Sequence, residues 1–287
     1  MARGAGTQVG RSVMTGRPGV PGLLGQRDPA YIAKVLPFLK LAMKGYFRSE
    51  VRDIDRVPDG GALMVGNHSG GLMAMDVPII AVAFADTFGP DRPLYCLAHD
   101  MLFTGVAGPF FRKFGFVPAD RASAGEVLAS GAVTIVFPGG DYDTFRPTLK
   151  ANVIDFAGRT GYVRTALEAG VPIVPVVSIG GQEAQFHLTR GEWLGRLSPL
   201  RKVMRTDLLP LTIGFPLGLT PAGAGNVPLP TKIVTQVLDP IDPAAMVAEL
   251  GAAADVDAVA AVDEVVRSRM QAALDLLARE RRFPVLG

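Results

Sequence analysis

Ala62-Leu63-Met64-Val65-Gly66-Asn67-His68-Ser69-Gly70-Gly71 is the stretch on which the fold turns. Its apolar run reads as a buried strand, and the glycines after it as a sharp turn. His68 is thereby expected at the carboxyl end of a parallel strand, where open α/β sheets place their ligands. An imidazole titrates near neutral pH, so a neutral ring there is suited to take the proton of a hydroxyl. If the following loop folds back, Asp76 holds the other ring nitrogen and stabilises the imidazolium. The competing expectation makes Asp76 the N-cap of a helix over 77–88, with Pro78 in its first turn. The two roles are compatible.

Outward from that stretch, apolar and helical segments alternate. Leu94–Ala98 reads as a short strand, and Met101–Phe111 as a helix broken at Gly108-Pro109. Val133–Phe137 reads as a buried strand ending in Pro138-Gly139-Gly140-Asp141. A helix over Arg159–Ala169, closed by Gly170, leads into a strand over Val171–Ile179 that ends in Gly180-Gly181. Thr231–Leu238 alternates like a strand, and Ala244–Arg282 reads as one or two helices. The pattern predicts an α/β fold, a largely parallel twisted sheet flanked by helices.

The 287 residues are expected to form a flexible basic tail over 1–28 and a single domain over 29–287. Residues 1–48 carry eight Lys or Arg against one acid, Asp28. Within 29–48, Ile32, Val35, Leu36, Leu39, Met43, Tyr46 and Phe47 recur at helical spacing, and Lys40, Lys44 and Arg48 form a basic row. Pro37 is expected to kink this helix or set its start. Such an amphipathic helix either lies among the headgroups of an anionic bilayer or packs on its own domain. Between 186 and 222, Arg190, Arg196, Arg201, Lys202 and Arg205 interleave with Trp193, Leu194, Leu197, Leu200 and Met204, which suggests a second membrane-facing surface or a cap over an acyl channel.

Composition narrows the function classes. Apolar residues make up 48% of the chain and mean hydropathy is +0.28, yet no apolar run reaches the length of a spanning helix. A greasy chain of this kind fits an interfacial protein or one with an apolar tunnel. The single cysteine, Cys96, excludes an internal disulfide and sits in an apolar run, where a buried inert thiol is expected. Three histidines make a structural zinc site an unfavoured reading, and no metal is expected. A net charge of +2 without a recognition motif gives nucleic-acid binding little support. The amino-terminal residues lack an apolar core of the secretory kind, so a reducing location at the cytoplasmic face of a membrane is expected. His99 reads as a capping residue, and His187 has no evident partner. Ser69 lacks the Gly-x-Ser-x-Gly spacing of a nucleophile.

Four blocks occur in order: Asn67-His68 with Asp76; Gly115-Phe116-Val117-Pro118-Ala119-Asp120-Arg121; Val136-Phe137-Pro138-Gly139-Gly140; and Val171-Pro172-Ile173-Val174-Pro175-Val176. Together they resemble the glycerolipid (lysophospholipid) acyltransferase superfamily over roughly residues 60–240. Two departures are visible. Seven residues rather than four separate His68 from Asp76, and Gly140 stands where the family has a glutamate, with Asp141 and Asp143 just downstream. The later blocks, with Arg159–Arg164 and Ser178–Glu183, look most like the diacylglycerol acyltransferase 2 branch.

The resemblance implies a peripheral membrane O-acyltransferase that moves a fatty acyl group from acyl-CoA, a co-substrate, to a lipid hydroxyl without any cofactor. A neutral acceptor such as diacylglycerol or a long-chain alcohol is favoured over a lysophospholipid or lysophosphatidate. It implies His68 and Asp76 as the catalytic pair. Asn67, Ser69, Gly70, Gly71, Arg121, Pro138, Gly139, Gly140 and Asp141 are expected to contact substrate, with amides of the 69–71 turn facing the oxyanion. A hydrolase on the same scaffold and a non-catalytic lipid-binding protein are the alternatives. Oligomeric state is not implied.

Overall fold

A computed structural model describes residues 22–70, 74–197, 208–250, 257–283 and 285. At its centre is β2 (Ala62–Gly66), every residue of which is buried. A strand covered on both faces needs apolar side chains in both alternating sets, as this run supplies. Leu63 and Val65 enter one core cluster, with Val163, Ala166, Val266 and Met270; Ala62 and Met64 enter another, with Ile80 and Phe84.

Parallel partners flank β2: β5 (Val133–Val136) on one side and β6 (Ile173–Ile179) on the other. Beyond β5 come β3 (Leu94–Ala98) and the edge strand β4 (Phe116–Pro118), both parallel. Beyond β6 comes β10 (Val234–Val237), antiparallel to it, and then β1 (Glu50–Arg52), parallel to β10. The order is β1-β10-β6-β2-β5-β3-β4. The chain leaves β2 toward β3 but crosses back over β2 between β5 and β6. The carboxyl ends of β2, β5 and β6 therefore lie side by side at a change of strand order, which leaves a crevice there.

Helices cover both faces. α2 (Asp76–Phe88) lies on one, and α6 (Gly161–Ala169) with the long α9 (Ala258–Glu280) on the other. In α9, Val262, Val266, Met270, Leu274 and Leu277 form the buried stripe. α8 (Pro243–Leu250) precedes it, so the carboxyl-terminal stretch is two helices. α4 (Arg121–Ala129) follows β4 and is capped by Asp120, whose carboxylate accepts from Ser123 N at 2.8 Å.

The amino-terminal segment departs from expectation in two ways. Residues 1–21 of the expected tail lie outside the described residues, but 22–28 are packed. Arg27 donates to the Pro90 and Arg92 carbonyls at 2.6 and 3.1 Å, and Asp28 caps α1 (Pro29–Lys40). Pro37 neither starts nor ends that helix; the chain continues from Leu41 to Tyr46 as one wider π turn. Met43 and Phe47 are buried against Ile79, Val82 and Ile233. Lys40 and Lys44 both reach Asp86 of α2, at 2.8 and 3.5 Å, and Arg48 donates to the Pro230 and Val285 carbonyls. The basic row thus turns toward its own domain.

Two further regions differ. Over 101–111 the expected helix with a break at Gly108-Pro109 is two 3-10 turns followed by α3 (Gly108–Lys113). Gly108-Pro109 starts that helix instead of breaking one, because a proline in the first turn forgoes no intrahelical hydrogen bond. Residues 186–222 contain a separate antiparallel sheet, β7 (Phe186–Thr189), β8 (Leu211–Gly214) and β9 (Gly218–Pro221), with α7 (Glu192–Leu197) after β7. Leu200, Arg201, Lys202, Met204 and Arg205 lie outside the described residues. Among the described residues no helix is long and apolar enough to cross a membrane.

Candidate active site

The site begins where β2 ends. A Cβ at Gly66 would sit 2.7 Å from the Phe137 ring, so glycine lets that aromatic lie against the strand end. Asn67 then bridges to β6. Its Oδ1 accepts from Ser178 N and its Nδ2 donates to Ser178 O, both at 2.9 Å. This pair continues the ladder one step beyond the strands and fixes where the next residue goes.

His68 stacks flat on Phe137, with centroids 4.2 Å apart and planes 8° off parallel. Its backbone N–H donates to Asp143 Oδ2 at 2.8 Å, and Asp143 Oδ1 accepts from Arg146 at 2.8 Å. Asp143 and Arg146 are both buried. Burial pushes the Asp143 carboxyl upward, against the downward pull of the Arg146 guanidinium and the His68 N–H.

Asp76 comes back to His68 despite the seven-residue interval. It is the first residue of α2 and fully buried, and Oδ2 lies 3.5 Å from His68 Nδ1. The same carboxylate accepts from Ser69 N at 2.9 Å and from Ser69 Oγ in a short hydrogen bond. It therefore does not cap α2; Met75 is the N-cap, and the carboxylate turns out toward the loop. The positive end of the α2 dipole and two donors stand in for a cation beside this buried charge. His68 Nδ1 makes no hydrogen bond of its own. With Nδ1 toward Asp76, Nε2 is the nitrogen left to exchange a proton with a bound group.

Asn67, His68, Ser69, Asp143, Arg146 and, across from them, Gln182 and Glu183 line a small polar cleft that also touches Asn152, Val153, Ser178, Gly180 and Leu274. The His68 side chain is 12% exposed, so it is reachable from this cleft. The two strand-end loops pack closely: a Cβ on Gly181 would collide with Ser69 Oγ, and one on Gly70 with Gln182.

The structure brings together only part of the expected set. Asn67, His68, Ser69 and Asp76 converge. Gly70 borders them with φ +110°, and Gly71 lies outside the described residues. The Ser69 N–H is occupied by Asp76 and does not face an oxyanion. Pro138 and Gly139 form the turn after β5, and Gly140 and Asp141 open the short helix α5 (Gly140–Thr144); none of the four is in the cleft lining. Arg159 donates to the Pro138 and Gly139 carbonyls at 3.2 and 2.8 Å and pairs with Asp141 at 3.1 Å. A Cβ on Gly139 would collide with Asp143, and Gly140 is left-handed at φ +49°. These glycines serve the turn. Arg121 is exposed at the start of α4, 3.9 Å from Glu168 of α6, and is not in the cleft lining.

Sequence reasoning did not single out Arg146, Gln182 and Glu183 as site residues. The i, i+3 Asp143/Arg146 pair is the signal that could have found the first. His99 caps a 3-10 turn by accepting from Met101 N at 3.2 Å, and His187 is buried beneath the small sheet with Nδ1 2.9 Å from Gln185 O.

The Acyltransferase family profile matches residues 48–179, an interval that contains all four blocks. An uncharacterized protein of Mycobacterium tuberculosis is 36% identical over 208 residues, 71% of this chain and 55% of that protein. The mouse "DGAT1/2-independent enzyme synthesizing storage lipids" is 26% identical over 200 residues, 66% of this chain and 55% of that protein. The chain thus spans about half the length of these relatives. The crystal structure of a 1-acyl-sn-glycerophosphate acyltransferase from Thermotoga maritima aligns with 87% of this chain and 86% of that one, at 22% identity and a TM-score of 0.48. The profile match and the mouse relative support a place for this chain in the glycerolipid acyltransferase superfamily.

Proposed function

We propose that the chain is an O-acyltransferase that carries a fatty acyl group from an acyl thioester, acyl-CoA in the first instance, to the hydroxyl of a neutral lipid at a membrane. The observation that carries this reading is His68 at the carboxyl end of β2. Its ring is held on Phe137, its backbone is held by Asp143, and a buried carboxylate lies 3.5 Å from Nδ1.

In this mechanism the acceptor oxygen attacks the thioester carbonyl while its proton passes to His68 Nε2. The resulting oxyanion collapses, the C–S bond breaks, and the thiolate takes the proton back from the imidazolium. Asp76 stabilises the ring while it is charged. No covalent acyl-enzyme is needed, since the thioester is already activated. A positioned base contributes about 10²–10⁴-fold. Support for a neutral acceptor comes from Gly140, which removes the family's glutamate, and from a relative whose name refers to storage lipids.

Purified full chain is incubated with radiolabelled oleoyl-CoA and, separately, diacylglycerol, a long-chain alcohol and lysophosphatidate, with free CoA and ester measured together. Ester on the neutral acceptors is expected, and His68→Ala is expected to lower it by about 10²-fold or more at unchanged circular dichroism. A folded His68→Ala protein keeping over a tenth of the activity overturns the assignment. CoA release without ester on any acceptor replaces it with hydrolysis.

A further inference from the structure

The small sheet has its polarity reversed. Antiparallel sheets on a protein surface ordinarily turn apolar side chains inward and polar ones to water. Here Phe186, Leu188, Ile213 and Leu219 are 36, 45, 46 and 60% exposed, while His187 and Thr212 beneath them are 1% exposed. The register makes this a continuous face: Phe186 pairs with Ile213, and Ile213 with Leu219. Exposed Phe215 and Leu217, in the turn between β8 and β9, extend it. Exposed apolar area of this extent on one rigid element marks an interaction surface.

We infer that this face docks on an anionic lipid bilayer. As a composition, residues 186–229 carry five Lys or Arg against two acids, which suits anionic headgroups. Trp193, exposed on α7 beside the end of β7, has the amphipathic ring that favours the headgroup level.

Continuity with the rest of the molecule favours the same occupant. Val227 bridges to Phe215, and Tyr46 donates to the Pro228 carbonyl at 2.7 Å. That loop joins the sheet to the amino-terminal helical segment, which exposes Phe38 and Leu41. On the side toward the cleft, Thr148 donates to Gln182 O and accepts from His187 N. Its neighbour Leu149 is exposed, and Val153 lines the cleft itself. A lipid leaving the bilayer at this face meets apolar side chains on its way to His68. This docking deepens the acyltransferase reading and rests on it for its purpose, but binding to vesicles requires no turnover.

Trp193 is the single tryptophan of the chain, so its emission reports on this face directly. The full chain is mixed with vesicles of phosphatidylcholine and phosphatidylglycerol, with or without brominated acyl chains, and floated on a density gradient. Expected are flotation, a blue shift of Trp193 and quenching by the brominated lipid. Joint Ile213→Glu and Leu219→Glu substitution is expected to lower the vesicle-bound fraction by about tenfold or more. Ester formation on a monomeric, water-dispersed acceptor should be unchanged. Flotation without any change in Trp193 emission overturns the inference, as does unaltered flotation of the substituted protein. So does a wild-type dimer, by light scattering, that the substitutions dissociate while vesicle binding persists. Intact docking with no ester on any acceptor would instead overturn the enzymatic reading.

Discussion

Asp76→Asn separates the charge of this carboxylate from its shape. The asparagine Oδ1 can accept from Ser69 N–H as Asp76 Oδ2 does at 2.9 Å, and its amide can donate to Ser69 Oγ. The loop therefore keeps two hydrogen bonds but exchanges a charged acceptor for a neutral one, a loss of about 1–2 kcal/mol of stability. The effect on catalysis is larger. A full charge 3.5 Å from Nδ1 attracts the imidazolium by about 5 kcal/mol at an effective dielectric near 20, and the resting neutral ring gains little of this. Allowing for solvent at a ring that is 12% exposed, about half survives, which is a little under two decades in kcat with little change in KM. The assay is steady-state ester formation from radiolabelled acyl-CoA, with a thermal melt to show that the fold persists. Ser69→Ala supplies the control. It removes the hydroxyl contact and keeps the charge, so kcat should fall less than about tenfold. A folded Asp76→Asn protein within about threefold of wild type refutes the electrostatic role. Equal losses in the two variants would reduce Asp76 to a brace for the loop.

Asn67→Ala should destabilise the fold by about 2–4 kcal/mol, because it strips both the N–H and the carbonyl of buried Ser178 of their side-chain partner; chemical denaturation measures this. Cys96 is fully buried and its thiol is pushed up to about 12, so alkylation at pH 8 should follow global unfolding and not precede it. The unfolded thiol ionises near pH 8.5 while the folded one does not. Stability should therefore fall above that pH by up to about 1.4 kcal/mol per unit, and Cys96→Ala should abolish this slope. Burial holds the His187 imidazole below its ordinary range, against the pull of its hydrogen bond to Gln185 O. The unfolded ring then takes up a proton where the folded one does not, so stability should drop as pH falls through about 6.5, and His187→Gln should flatten that fall in melts between pH 7 and 5.

What the sequence made legible was what depends on local pattern. The run from Ala62 to Gly66 announces a strand buried on both faces, and the double glycines after Phe137 and Ile179 mark two more strand ends at the same edge. His68 follows from these. The partnership of Asp76 with His68 was less legible, because it depends on Ser69 folding back to hold the carboxylate, a contact that no spacing rule encodes. The turn at 138–141 misled for a physical reason. Missing side chains suggest room for a ligand, yet here they make room for Asp143 and a left-handed backbone. The reversed sheet at 186–221 hid its orientation, since Phe186-His187-Leu188 alternates equally well with either set facing inward. Lys40 and Lys44 show a similar ambiguity: a basic row fits a bilayer, but these two found Asp86.

The acceptor's chemistry can be argued from what surrounds His68. Asp143 has one oxygen on the His68 N–H and the other on Arg146, while Asp141 pairs with Arg159. Gly140, where the family has a glutamate, contributes no side chain. The carboxylates of this segment are therefore each already held by a protein donor. On the opposite wall, Gln182 Oε1 and Glu183 Oε2 are buried and without a hydrogen-bond donor. Such oxygens are costly unless something donates to them, and a glycerol or alcohol hydroxyl is a donor. A phosphate brings mainly further acceptor oxygens, which satisfy neither of these two, and Glu183 Oε1 is already paired with Arg281 at 2.8 Å. This balance of donors is the physical ground on which we propose a neutral hydroxyl, with Gln182 and Glu183, more than the glycine turn, as the residues to substitute in testing acceptor choice.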